Sequence, residues 1–361
     1  MDTIQMIREL SEAFGAPGFE GDVIQIARRY IGAEFCAVAD RMNNLVIRKN
    51  TGGDGPVVVL DAHADEVGMM VHHIKDDGTM AFAALGTWDA AVLTATKVQI
   101  KTRMGEYVNG VIAAKPPHFA APGDMDRPLA IDSMVIDIGA TCPEYVENLG
   151  IGAGSPVVCC TPFEQLSDNL ILGKAFDCRL GVAAVLEVLD AIKGENTAVQ
   201  VVGALSAQEE IGIRGAQVVA RNIRPDLAIV FEGSPADDTL NPIQARQTRL
   251  GHGPMLRHFD AGMITHPGFM RFALDIAREQ GIPAQQAVRV ARGGEANRLA
   301  NTTNAFAYHL SNEGVPTIVI GHPVRYIHSP HGIADLRDYR AAIKLAIAII
   351  RNLTPKNMEL L

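Results

Sequence analysis

The sequence predicts an α/β protein, an α/β/α sandwich carrying a β-barrel-like insertion. Amphipathic helical periodicity marks both ends of the chain, and several short strands are apolar at every position. Between them, residues 67–162 carry β-like runs with almost no helical period. Strands buried on both faces lose the usual in/out alternation and read as continuous apolar runs. A length of 361 residues suits two structural units. The expected division is a catalytic unit of residues 1–66 plus 163–361 around an inserted β-rich unit of residues 67–162.

Taken in order, Ile4, Ile7, Leu10 and Phe14 recur at helical spacing, and Gly15 ends the run. A second helix follows, with Val23, Ile24, Ala27, Tyr30 and Ile31 on one face. Strands are expected at Leu45–Arg48 and Val57–Asp61. The insertion offers Met69–Ile74, Met80–Ala84, Lys97–Lys101, Gly110–Ala114, Met134–Ile138 and Pro156–Cys160, separated by turns such as Asp76-Asp77-Gly78. Beyond Asn169 come a helix near Cys178–Ile192, strands at Val199–Leu205 and Leu227–Phe231, and a helix near Phe269–Glu279. A strand at Thr317–Ile320 and a closing helix near Leu336–Arg351 complete the pattern.

Composition excludes several classes of function. With 48% hydrophobic and 20% charged residues the chain is not disordered, and a net charge of −9 without a basic block argues against nucleic-acid or anionic-membrane partners. Five cysteines, an odd number without a CxxC pair, do not form a disulfide framework or a thiolate zinc site. Neither a signal peptide nor an apolar run of membrane-spanning length is visible, so the expected location is the cytoplasm.

Metal-ligand residue types collect just past the apolar strands, where open α/β sheets place their sites. His63 and Asp65 stand two apart, the spacing by which a carboxylate orients an imidazole that binds metal. Asp177 opens a helix, where an Asp also serves as an N-cap. Glu209 and Glu210 are adjacent acids after a strand, costly to bring together unless a cation or proton separates them. Glu232 and His328 follow the next two strands. Beyond Asp65, two imidazoles and four carboxylates, one able to bridge and one to spare, are what a two-metal hydrolase requires.

In that order, with Ala16-Pro17-Gly18-Phe19-Glu20, Lys115-Pro116-Pro117-His118, Asp137-Ile138-Gly139-Ala140, Gly314-Val315-Pro316-Thr317 and Arg325-Tyr326-Ile327-His328-Ser329, the chain resembles the M42 family of metallo-aminopeptidases over nearly its whole length. The resemblance implies a di-zinc exopeptidase-like fold and removal of N-terminal residues from short peptides. It assigns His63 and Glu232 to one metal, Glu210 and His328 to the other, and Asp177 to both. Glu209 becomes the general base and Asp65 the carboxylate behind His63. Two divalent ions per subunit are implied, zinc or cobalt first and manganese next. So is a homo-oligomer built from dimers, up to a dodecamer.

Three positions depart from the family pattern. Glu232 replaces an Asp, Cys178 stands in an Asp-Asp-Arg motif, and Gly293-Gly294-Glu295-Ala296-Asn297 with the residues through Thr303 replaces a Gly-Gly-Thr-Asp loop. Glu at the first of these is frequent in acylases and carboxypeptidases of the wider clan, which keeps a metal-dependent amidohydrolase open as an alternative. A catalytically silent oligomeric binding protein is the other alternative.

His72 and His73 are expected on opposite faces of one strand, and Gly150-Ile151-Gly152-Ala153-Gly154 is expected to be a turn. His252, His258, His266, His322 and His331 are expected at the surface or a pocket rim, and Arg246, Arg249, Arg257 and Arg292 in solvent. Cys178 is expected to be a small buried filler.

Overall fold

The computed structural model describes residues 2–50, 55–119, 129–289, 302–359 and 361. The altered loop of residues 293–303 falls largely, and Arg292 entirely, outside the described residues. Four parallel strands form the centre of an eleven-stranded sheet, side by side in the order Gln200–Ser206, Val57–His63, Leu227–Pro235 and Thr317–Arg325. The antiparallel strands Leu45–Lys49 and Phe35–Ala39 extend one edge, and Gly332–Asp335, Leu170–Gly173 and Glu164–Gln165 the other.

The apolar runs are continuous because both faces are covered. Val58, Leu60, Leu227, Ile229, Phe231, Ile318 and Ile320 pack against the helices Thr3–Glu12, Gly21–Arg29, Phe176–Ile192, Pro267–Glu279 and Leu336–Asn352. Their alternates Val59, Val202, Ala204, Ala228, Val230 and Val319 pack against Arg214–Ile223 and Ala305–His309. The helix Arg214–Ile223 and the strands Met255–Phe259 and Gln285–Val288 were not anticipated.

Six strands close into a barrel, in the order Gly68–Ile74, Met80–Leu85, Val135–Asp137, Tyr107–Ala113, Lys97–Lys101 and Pro156–Cys159. Its interior holds Met69, Val71, Met80, Val98, Ile100, Ile112, Ile136 and Val157. Among the described residues no helix is long and apolar enough to cross a membrane.

Three expectations are corrected. Strict alternation at His72 and His73 fails because a register shift between Val71 and His73 makes a bulge, bringing the two Nδ1 atoms to 2.8 Å. His322 is not at the surface. The strand runs on past Ile320 to Arg325, and His322 lies buried between the rings of Phe231 and Tyr339, at 5.8 and 5.6 Å between centroids. Arg257 is buried too, on the unanticipated strand Met255–Phe259, with Nη1 3.1 Å from Asp260 Oδ2.

Candidate metal centre and active site

Register brings the first two candidates together. Val230 pairs with Asp61 across neighbouring parallel strands, so two residues further on Glu232 faces His63. Period-2 alternation puts both side chains on one face of the sheet, at its carboxyl end. Asp177 enters from the start of the central helix Phe176–Ile192, in a stretch whose backbone is not helical (φ −88°, ψ 106°) and follows the left-handed Ala175 (φ +55°). It comes so close to the strand that a Cβ on Gly233 would lie 2.6 Å from Asp177 Cβ, so only glycine fits there.

His63 Nε2 lies 3.0 Å from Asp177 Oδ1 and 3.2 Å from Glu232 Oε1. The other carboxylate oxygen of Asp177 faces the opposite way, 3.2 Å from His328 Nε2, which is in turn 3.5 Å from Glu210 Oε1. His328 is itself a left-handed residue, with φ +54°. Glu209 completes the group, its carboxylate within 4.8 Å of the ligand atoms of His63 and Glu210. All seven predicted site residues therefore lie together at this end of the sheet, and Asp177 meets both imidazoles at hydrogen-bond distance, one through each oxygen.

The hydrogen-bond accounting is incomplete in an informative way. His63 Nδ1 lies 3.2 Å from the backbone oxygen of Asp65, and His328 Nδ1 lies 3.0 Å from that of Thr87. Each carbonyl takes the Nδ1 proton, which leaves each Nε2 lone pair facing two carboxylates. Only an extra proton or a cation reconciles those groups. Among the described residues, Glu210 Oε1 and Glu232 Oε2 are moreover buried without any hydrogen-bond partner. Imidazole and carboxylate donors of this kind suit divalent zinc, cobalt or manganese, so the residues fit such ions.

Electrostatics record the same deficit. Burial pulls the His63 imidazole down, but the Glu232 charge and contacts with Asp177 and Asp65 hold it well above its ordinary value. For His328, burial is likewise outweighed by Glu210 and Asp177, which push it up to about 9. Burial raises Glu232 to about 8 and Glu210 to about 7, with Asp177 adding to both. Burial also raises Glu209 well above the carboxyl range, opposed by His63 and reinforced by Glu232 and Glu210. Asp177 goes the other way, since bonds from His328 and His63 overcome its burial.

Asp65 does more than stand behind His63. Its carboxylate is 3.6 Å from Nδ1, and its two oxygens accept the backbone N–H groups of Glu209 and Glu210 at 3.0 and 3.1 Å. Cys178 is buried as expected, its thiol donating to the Phe231 carbonyl at 3.3 Å. Two contributors were not foreseen. The Thr87 carbonyl is a backbone group, which carries no side-chain signal. Asp61, wholly buried two residues before His63, accepts from the Asn304 amide at 2.6 Å and from Ser206. Its signal was present, as an acid inside an apolar strand.

A mixed sheet with carboxylates and imidazoles converging at the carboxyl end of its parallel strands, in a chain that also forms a closed barrel, is the architecture of a hydrolase of the exopeptidase type. The chain belongs to the M42 family: the family model for M42 glutamyl aminopeptidase matches residues 43–345. It is 32% identical to the glutamyl aminopeptidase of Lactococcus lactis subsp. cremoris, over 99% of this chain and 98% of that protein. Among solved structures, the TET aminopeptidase of the marine sediment archaeon Thaumarchaeota archaeon SCGC AB-539-E09 matches at TM-score 0.93 and 34% identity, covering 99% of this chain and 98% of the other. The Pyrococcus horikoshii TET1 peptidase, described as assembling into a tetrahedron or a large octahedral shell, matches at TM-score 0.85 and 26% identity, over 98% and 100% of the two chains. The protein is thus an aminopeptidase, a hydrolase of peptide bonds.

Proposed function

We propose that the chain is a dinuclear-metal aminopeptidase that trims N-terminal residues from short peptides, with Glu209 as general base. The observation that carries the reading is that both imidazole Nε2 atoms, already supplied with a proton acceptor at Nδ1, face pairs of carboxylates around the shared Asp177. His63 and Glu232 would hold one ion, His328 and Glu210 the other, and Asp177 both. Such ions, when bound, supply Lewis acidity that activates water and polarises the scissile carbonyl.

The remaining work falls to the chain itself. Glu209 has a buried carboxylate of raised proton affinity beside His63 and Glu210. It would take a proton from the attacking water and return it to the departing amine. Asp65 fixes the backbone of both glutamates, so that Glu209 and Glu210 address different partners. The surplus of carboxylates would also favour a substrate's free α-ammonium, which restricts cleavage to the first peptide bond. By likeness to the TET structures, the working form would be a homo-oligomer.

The test is a metal titration of two variants on aminoacyl p-nitroanilides, with N-acyl amino acids as controls. Glu209→Gln should lower kcat by roughly 10²–10⁴-fold while keeping its metal. Glu210→Gln should lose one ion and recover activity with excess metal. Normal turnover in both variants, or cleavage of the N-acyl substrates alone, would sink the proposal.

A further inference from the structure

We infer that Glu20 is a positioning residue of the catalytic loop: with Asp65 it holds three consecutive backbone N–H groups, those of Gln208, Glu209 and Glu210, and so aims the Glu209 carboxylate. The inference rests on the reading of Glu209 as general base. Glu20 is 0% exposed, and its Oε1 accepts from Gln208 N at 3.1 Å and from Gly18 N at 2.6 Å. Asp65 takes the next two N–H groups of the loop. Two buried carboxylates from separate parts of the chain thus grip one three-residue segment.

That segment needs gripping. Gln208 has φ +55°, a left-handed conformation that a non-glycine residue keeps only where its surroundings over-determine it. Rotation at Gln208 would swing the side chain of Glu209, the next residue along. The support for Glu20 is itself rigid. Gly18 turns at φ +86°, Phe19 N donates to Ala16 O at 2.8 Å, and Phe19 packs with Phe14, Ala16, Leu85 and Val158. Leu85 and Val158 belong to barrel strands, so the turn is packed against the barrel. Among the described residues, the second oxygen of Glu20 is buried with no partner and no cationic side chain bonds the group. An apolar residue would fill that space without the desolvation cost of a carboxyl, so packing alone does not account for Glu20.

The experiment uses the metal-loaded full chain. Glu20→Ala should lower kcat by roughly 10–100-fold, the scale expected when a reacting group is misplaced by about an ångström, with KM and metal content unchanged. Glu20→Gln keeps the accepting oxygen and should retain turnover within about threefold. Introduced into Glu209→Gln, Glu20→Ala should add almost nothing, because the group it aims is already disabled. Should Glu20→Ala fail to fold, Glu20→Asp, one methylene short, takes its place with the same expected direction. Unchanged kcat beside a disabled Glu209→Gln would overturn this inference alone, as would equal losses in both backgrounds or a loss of metal. Normal turnover of Glu209→Gln would instead overturn the general-base reading, and this inference with it.

Discussion

Two clusters of buried charge lie within the same fold, and they are built differently. In one, Lys174 Nζ donates to Glu66 Oε1 and Oε2 at 2.6 and 2.8 Å and to Ala13 O at 2.9 Å, using all three of its protons. Arg179 adds Glu66 Oε1 at 3.1 Å and the carbonyls of Leu10, Ala13 and Gly15, which among the described residues leaves only its Nε without a partner. In the other, around Asp177, carboxylates outnumber imidazoles and orphaned oxygens face inward. The first cluster is closed: opposite charges and carbonyls satisfy it, and it ties the N-terminal helix to the central one. The second is complete only with added positive charge. Buried charge alone therefore does not mark a site; unbalanced, under-bonded buried charge does.

The contrast can be broken from the structural side first. Lys174→Met removes the amine that satisfies both oxygens of Glu66. Stripping one partner from a buried ion pair costs about 3–5 kcal/mol. A clear drop in the thermal midpoint is expected, with unchanged metal content per folded chain. Loss of metal at unchanged stability would mean that this cluster belongs to the site.

A smaller effect is expected at His322, which among the described residues has two orphaned ring nitrogens but no converging charge. Burial lowers it to about 3. Its unfolded value is near 6.5, so the unfolded chain binds the extra proton between those limits. Its contribution to stability is thus fully present above about pH 6.5 and is lost as pH falls towards 3, at up to about 1.4 kcal/mol per pH unit. His322→Leu, an apolar side chain of similar volume, should flatten the fall of the midpoint between pH 6.5 and 4.5. An unchanged slope would show that His322 does not titrate on unfolding.

Much of the architecture was legible because doubly covered parallel strands write their burial into the sequence. The acids shortly after Leu205 and Phe231, and the His63–Asp65 pair just past Asp61, stood out against apolar neighbours for the same reason. What escaped was carried by backbone or by irregularity. The Thr87 carbonyl and the Gln208 N–H have no side-chain signature, and the bulge at His72–His73 breaks the alternation on which the expectation rested. His322 was misjudged because Gly321, His322 and Pro323 look like the end of a strand that in fact runs on to Arg325. Arg257 was misjudged because the short strand beneath it was not recognised. The role of Glu20 needed three dimensions, since 188 residues separate it from the N–H it accepts.

The most direct measurement is elemental analysis of the purified chain and of His63→Ala and His328→Ala, each loaded with zinc, cobalt or manganese and then freed of excess ion. About two divalent ions per chain are expected for the parent and about one for each variant, since each imidazole would serve one ion around the shared Asp177. Fewer than one ion in the replete parent, or two ions retained in both variants, would contradict the account.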